Sequence, residues 1–228
     1  MNLRYELVIF DLDGTLIDSK LDLAHAVNAT MVFMGLEPLT HERVYSYVGN
    51  GAPVLMRRAL GPGASETDVE RALDFFLAYY RDHKLDYTVL YPGVCEALDE
   101  LGRAGARMAV LTNKPFRMSR EIIEGLGVSS HFFQVYGGNS FDQKKPDPSG
   151  VHALLRESGI DASRAVMVGD SAVDVQTARN GQIAAVGCTW GFQPETLIPN
   201  PPDYLIESMG DLPAIVTARQ EQDAGAII

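Results

Sequence analysis

The stretch LVIFDLDGTLIDS, residues 7–19, decides how this chain folds. Four consecutive apolar residues run into Asp11 and Asp13, one residue apart, followed by Gly14 and Thr15. A run this short, apolar at every position, is the pattern of a strand covered on both faces in a parallel sheet. Asp-Gly is a common turn dipeptide, and an Asx turn or a helix cap would by itself explain the aspartates. Yet two carboxylates so close repel each other unless a proton or a cation intervenes. A hard divalent cation such as Mg²⁺, which takes one or two carboxylates with water and substrate phosphate, would relieve that repulsion. The spacing does not match a calcium loop, which needs ligands at every second residue and a distal glutamate.

The same design recurs outward from this strand. MAVL (108–111), FFQVYG (132–137), AVMV (165–168), IAAVG (183–187) and the weaker DYLI (203–206) are further strand candidates. Helix-length stretches at 93–104, 115–125, 147–158 and 171–180 alternate with them. Apolar strands alternating with helices predict a doubly wound α/β domain around a parallel sheet. Between residues 10 and 108 the rhythm stops: no strand is predicted there, and ahead of the 93–104 stretch helices are predicted over 20–34, 50–60 and 66–83. In ETDVERALDFFLAYYRDHK (66–84), Val69, Leu73, Phe76, Leu77 and Tyr80 form one apolar stripe at three- and four-residue spacing. Residues 17–88 are therefore expected to be a helical cap, with 1–16 and 89–228 forming the core. Open parallel sheets bind ligands at the carboxyl ends of their strands, so an insertion there is placed to act as a lid. The tail TARQEQDAGAII, 217–228, reads as a fraying helix end.

Three more strand ends carry polar residues. In VMVGDSAVD (166–174), Asp170 follows the strand, Ser171 starts a helix and Asp174 comes one helical turn later. A capping aspartate followed by a surface one is a common pattern, but a second acidic strand end in one sheet favours a metal site of Asp11, Asp170 and Asp174. In VLTNKP (110–115), Thr112 and Asn113 precede a proline suited to a first helical turn, an arrangement that can seat an anion. In QKKPDP (143–148), a lysine ahead of a proline can present a compact positive charge to phosphate. Together these ends supply the parts for phosphoryl transfer. Asp11 can attack as nucleophile and Asp13 can move the proton. Lys145, Thr112 and the metal can hold the oxygens whose charge the transition state carries. No GxxxxGK[ST] sequence is present, which argues against a P-loop enzyme.

The ordered blocks DLDGT, LTN, the KP of KKPDP, and GDSAVD resemble the four motifs of the haloacid dehalogenase-like superfamily. The resemblance spans almost the whole chain and implies a Rossmann-like core, dependence on Mg²⁺ and an aspartyl-phosphate intermediate. By position it implies that Asp11 is nucleophile and metal ligand, and that Asp13 is acid/base and lends the metal its backbone carbonyl. It further implies phosphate contacts from Thr112, Asn113 and Lys145, metal ligation by Asp170, and support from Thr15, Ser171 and Asp174. Within the superfamily, YVGNGAPVLMRRAL (47–60), LYPGV (90–94) and YGGNSFDQKKPDP (136–148) resemble the phosphoglycolate phosphatase subgroup, and TWGFQPETL (189–197) matches it only in part. The substrate so implied is a small phosphorylated metabolite, 2-phosphoglycolate. Gly49, Asn50 and Gly51 before a helix could meet its carboxylate with free N–H groups, and Arg57 could face it.

Other readings use the same residues. Asp13, as a proton shuttle for a phosphate ester, argues against dehalogenation. A Schiff-base phosphonate hydrolase would need a cap lysine, and Lys20 and Lys84 both lie near the ends of the insertion. A sugar-phosphate phosphatase or phosphomutase, a pyrophosphatase, a nucleotidase, and a non-catalytic binding module on this fold remain alternatives. The 30 acidic against 19 basic residues, a formal charge of −11, argue against a nucleic acid or an anionic membrane as partner. No apolar run approaches a membrane span and the N-terminus reaches an aspartate too early for a signal peptide. Cys95 and Cys188 form no CxxC pair and are expected to pack in a reducing compartment. A cytoplasmic monomer or homodimer is expected.

Overall fold

The computed structural model describes residues 3–217, so the expected tail lies outside the described residues apart from Thr217. The chain opens with β1 (Leu7–Phe10), β2 (Ile17–Asp18) and four helices, α1 (Lys20–Phe33), α2 (His41–Tyr45), α3 (Ala52–Leu60) and α4 (Glu66–His83). Next come β3 (Val89–Leu90), α5 (Val94–Ala104), β4 (Arg107–Leu111), α6 (Phe116–Gly125) and β5 (Phe132–Tyr136). The remainder is α7 (Ser149–Ser158), β6 (Ala165–Gly169), α8 (Ala172–Asn180), β7 (Ala184–Cys188), β8 (Tyr204–Ile206) and α9 (Leu212–Thr217).

Six of the strands form one parallel sheet in the order β5-β4-β1-β6-β7-β8. Side chains alternate across a strand, and both resulting faces are apolar. Val8, Phe10, Met108, Val110, Val166 and Val168 point into one core, shared with α5, α6 and α9. Leu7, Ile9, Ala109, Leu111, Ala165 and Met167 point into the other, shared with α7 and α8. The doubly wound α/β expectation holds for this physical reason. After β5 the chain crosses β1 to start β6 on its other side, which makes the β1/β6 edge a topological switch point, the place where such sheets bind ligands.

Helices α1 to α4 gather round a separate apolar cluster that includes Leu23, Val27, Leu55, Met56, Phe76 and Tyr80. The capping box of Ser65 and Asp68 starts α4. One expectation needs correcting: the interval expected to lack strands holds a ribbon, Ile17–Asp18 paired antiparallel with Val89–Leu90. Two residues carry no periodicity, so sequence cannot announce them. Beside this ribbon the buried Asp22 carboxylate accepts from the N–H groups of Tyr87 and Thr88 and from the Thr88 hydroxyl, tying α1 to the outgoing chain.

Candidate active site

Asp11 leaves β1 with its N–H donated to Val168 O, 2.9 Å, so the strand pairing itself sets its position beside β6. The next residues form a tight loop: Gly14 (φ 82°) donates its N–H to Ile17 O, and Leu16 and Ile17 donate to Leu12 O. A Cβ at Gly14 would lie 2.3 Å from Asp170 Oδ2. Glycine is needed there for both the dihedral angle and the space.

Lys145 is the central cation. Its ammonium lies 2.8 Å from Asp11 Oδ1 and 2.7 Å from Asp174 Oδ1, with the side chain buried. Burial works against its charge, but Asp11 and Asp174 outweigh that and hold it above its ordinary value. Both Asp174 oxygens are engaged: Oδ2 accepts from the Ser171 N–H and hydroxyl in a capping box, and Oδ1 accepts from Lys145. Asn113 positions rather than points: its amide accepts from Lys145 N–H and donates to Lys145 O and to Gly49 O in the cap. Thr112 and Ser171 line the cavity beside them, while Thr15 is fully buried and outside its lining.

Asp170 follows β6 and accepts backbone N–H groups from Phe192 and Gln193 on Oδ2. Burial, then the nearby Asp174 and Asp11, push its carboxyl up to about 8. Asp11 is pushed up to about 6 by burial, against the pull of Lys145. Ligand oxygens of Asp11, Asp170 and Asp174 lie within 4.8 Å of one another, the single such acidic cluster among the described residues. Asp11 Oδ1, though close to Lys145, is buried without a well-directed hydrogen bond. An under-satisfied carboxylate oxygen among hard oxygen donors fits a small divalent cation. Since both Asp174 oxygens are engaged, Asp11 and Asp170 are the carboxylates open to it.

Above these groups lies a cavity of about 60 Å³. Its floor is Asp11, Asp13, Thr112, Asn113, Asp170 and Ser171, and its roof is the cap's Leu23, Val48, Leu55, Phe76, Leu77 and Tyr80. Gly49 and Gly51 line it, but Asn50 does not. The expectation for Arg57 is corrected by its position: it is exposed, outside the lining, and paired with Glu66 across the turn between α3 and α4. Arg58 also turns away, donating to Tyr47 O.

Sequence reading missed Lys114. It is buried, with its ammonium 2.8 and 3.0 Å from the Asp13 oxygens and 2.6 Å from the Tyr80 hydroxyl. Burial opposes its charge, yet Asp13 and Tyr80 raise it above its usual value. The signal was present: Lys114 stands before a proline at a strand end, the context that singled out Lys145. Gln193 was missed as well; its amide donates to Ser46 O and Val48 O, joining the loop that holds Asp170 to the cap. Trp190 borders this region, donating weakly to Thr15 O. Cys188 is buried, whereas Cys95 is exposed rather than packed.

Residues 8–188 match the family model of haloacid dehalogenase-like hydrolases. The chain belongs to that family. Among curated relatives, a phosphoglycolate phosphatase of Pseudomonas fluorescens (strain Pf0-1) is 43% identical over 82% of this chain and 70% of its own length. One of Vibrio parahaemolyticus is 38% identical over 92% of this chain and 96% of its own. A crystal structure from Haemophilus somnus 129PT, described as a predicted phosphoglycolate phosphatase, superposes with a TM-score of 0.87 at 30% identity, covering 92% and 96% of the two chains.

Proposed function

We propose that this phosphatase hydrolyses 2-phosphoglycolate to glycolate and phosphate, through a phosphoryl group carried on Asp11 and with Mg²⁺ bound. The observation that carries the reading is the convergence of Asp11, Asp170 and Asp174 within 4.8 Å of one another, with the Lys145 ammonium on Asp11 and Asp174, beneath a small cavity. About 60 Å³ is room for a handful of water centres at roughly 10–15 Å³ each, which suits a small ester. The names of the relatives point to the same substrate.

Asp11 attacks phosphorus, forming an acyl phosphate as the ester P–O bond breaks. Asp13 gives its proton to the departing alkoxide oxygen, so glycolate leaves neutralised at that oxygen. Asp13 then takes a proton from water as the water attacks phosphorus, and inorganic phosphate leaves with Asp11 restored. Lys145 and the Thr112 hydroxyl hold the equatorial oxygens of the transferring group, their positions fixed by Asn113 and Asp174. A bound Mg²⁺, held by Asp11, Asp170 and the Asp13 backbone carbonyl, would neutralise developing phosphate charge. The apolar roof excludes water and strengthens each of these contacts.

Phosphate release from 2-phosphoglycolate, β-glucose 1-phosphate, pyrophosphate and a nucleoside monophosphate, each with Mg²⁺ and with chelator, tests the reading. Mg²⁺-dependent turnover with the highest kcat/KM on 2-phosphoglycolate is expected. A higher kcat/KM on another ester would overturn the substrate, and undiminished turnover in chelator would overturn the metal.

A further inference from the structure

Among the described residues lining the cavity, Lys114 is the one cation; the other charged lining groups are Asp11, Asp13 and Asp170. A substrate with a carboxylate beside its phosphate ester has to place that second anion somewhere. The floor is committed to the phosphoryl group, and most of the roof is hydrocarbon. The glycine stretch of the cap offers backbone N–H groups but no charge: the N–H groups of Gly49, Gly51 and Ala52 have no acceptor among the described residues, and Pro53 brings none. Arg57 faces away.

We propose that Lys114 and the Tyr80 hydroxyl are the specificity-determining pair that receives the substrate's carboxylate. The assignment rests on the substrate reading given above. Geometry places the pair correctly. Asp13 must reach the ester oxygen, and the Lys114 ammonium sits against Asp13 on the cap side, 2.8 and 3.0 Å from its oxygens. In 2-phosphoglycolate the carboxylate carbon is two bonds beyond that ester oxygen. A group adjacent to Asp13 and facing the cap is therefore what the carboxylate meets first.

Donor count agrees. An ammonium has three N–H donors; one goes to the Tyr80 oxygen, and the two Asp13 oxygens can share another, which leaves one for an incoming anion. The Tyr80 oxygen accepts from Lys114, and its own O–H has no acceptor among the described residues. Tyr80 is kept as a phenol, its hydroxyl pushed up to about 12 chiefly by burial. One N–H and one O–H thus meet a carboxylate edge, in surroundings whose low polarity strengthens both contacts. Tyr80 comes from α4 and Lys114 from the loop after β4, so this anion seat exists only when cap and core are together.

The experiment compares kcat/KM for 2-phosphoglycolate, 2-hydroxyethyl phosphate and 2-aminoethyl phosphate, which differ in carrying an anion, a neutral group or a cation at the same place. For the unsubstituted enzyme the ratio of 2-phosphoglycolate to 2-hydroxyethyl phosphate is expected to be about 100, the worth of a charge-assisted pair of contacts, with 2-aminoethyl phosphate poorest. In Lys114→Met that ratio is expected to fall below about 5, and 2-aminoethyl phosphate to rise relative to the neutral ester. Lys114→Arg should recover part of the ratio. A merely structural role for Lys114 would lower all three substrates together and leave the ratio near its original value, which would overturn the assignment. Should Lys114→Met not fold, Tyr80→Phe takes its place: a ratio lowered about fivefold supports the pair, and an unchanged ratio overturns it. A ratio near one in the unsubstituted enzyme would instead defeat the substrate reading itself.

Discussion

Replacing Asp170 with asparagine should make the metal-free protein more stable and blind to Mg²⁺. The carboxyl is held at about 8 in the folded chain against an ordinary 3.8. Folding therefore opposes its ionisation: stability is full below the unfolded value and drains away as pH rises from about 4 to about 8. At pH 7.5 the unfolded carboxyl has ionised while the folded one mostly has not, a gap of between three and four pH units, or about 5 kcal/mol at 1.36 kcal/mol each. Asp11 is raised as well and relaxes when Asp170 is neutral, so about half of that gap, ~2 kcal/mol, is the expected gain for Asp170→Asn. In a chain of 228 residues that raises the melting temperature by about 4–8 °C. The assay is thermal unfolding in EDTA at pH 7.5 and pH 5, repeated with saturating Mg²⁺. At pH 5 the gain should shrink to less than about 1 kcal/mol, because little of the gap has opened. With Mg²⁺ the order should reverse, since the unsubstituted protein gains the binding energy and the variant does not. A variant no more stable in EDTA at pH 7.5, and equally stabilised by Mg²⁺, would refute the account of this cluster.

Three other perturbations follow from the same geometry. Asp11→Asn should abolish turnover while leaving the melting temperature in EDTA equal or higher, checked by phosphate release beside thermal unfolding; turnover at the original rate would remove the covalent mechanism. Lys145→Ala leaves Asp11 and Asp174 buried without their counter-charge, and should cost about 3–5 kcal/mol in urea unfolding with EDTA; a loss under about 1 kcal/mol would contradict its central place. Gly14→Ala meets both a positive φ of 82° and the Asp170 carboxylate at 2.3 Å, so a destabilisation above about 1 kcal/mol and a weaker Mg²⁺ affinity by titration calorimetry are expected.

Much of this site was legible because its parts sit at strand ends. Short runs apolar at every position, alternating with helix-length stretches, are the pattern of strands covered on both sides, so LVIF, MAVL and AVMV marked a parallel sheet, and the residues after each marked its carboxyl edge. That reasoning reached Asp11, Asp13, Thr112, Lys145 and Asp170 without any knowledge of distance. It failed where contacts are made across long separations in the chain. Lys114 and Tyr80 are 34 residues apart and meet through a 2.6 Å hydrogen bond; in sequence Tyr80 reads only as one more member of an apolar helix stripe. Arg57 failed in the opposite sense. Its position on α3 allowed it to face the cavity, and the nearby Glu66 at the start of α4 drew it outward.

Local order along the chain determined which residues are strand, which are helix, and which carboxylates and cations end up on one edge, because periodicity and strand-end position are properties of short segments. Only the tertiary structure decided which charges share a partner. Asp174 is spent on Ser171 and Lys145, Asn113 on the backbone of Lys145, and Gln193 on the cap. Each of those choices depends on hydrogen-bond geometry to within a fraction of an ångström, and such distances are set by the packing of distant segments rather than by their order.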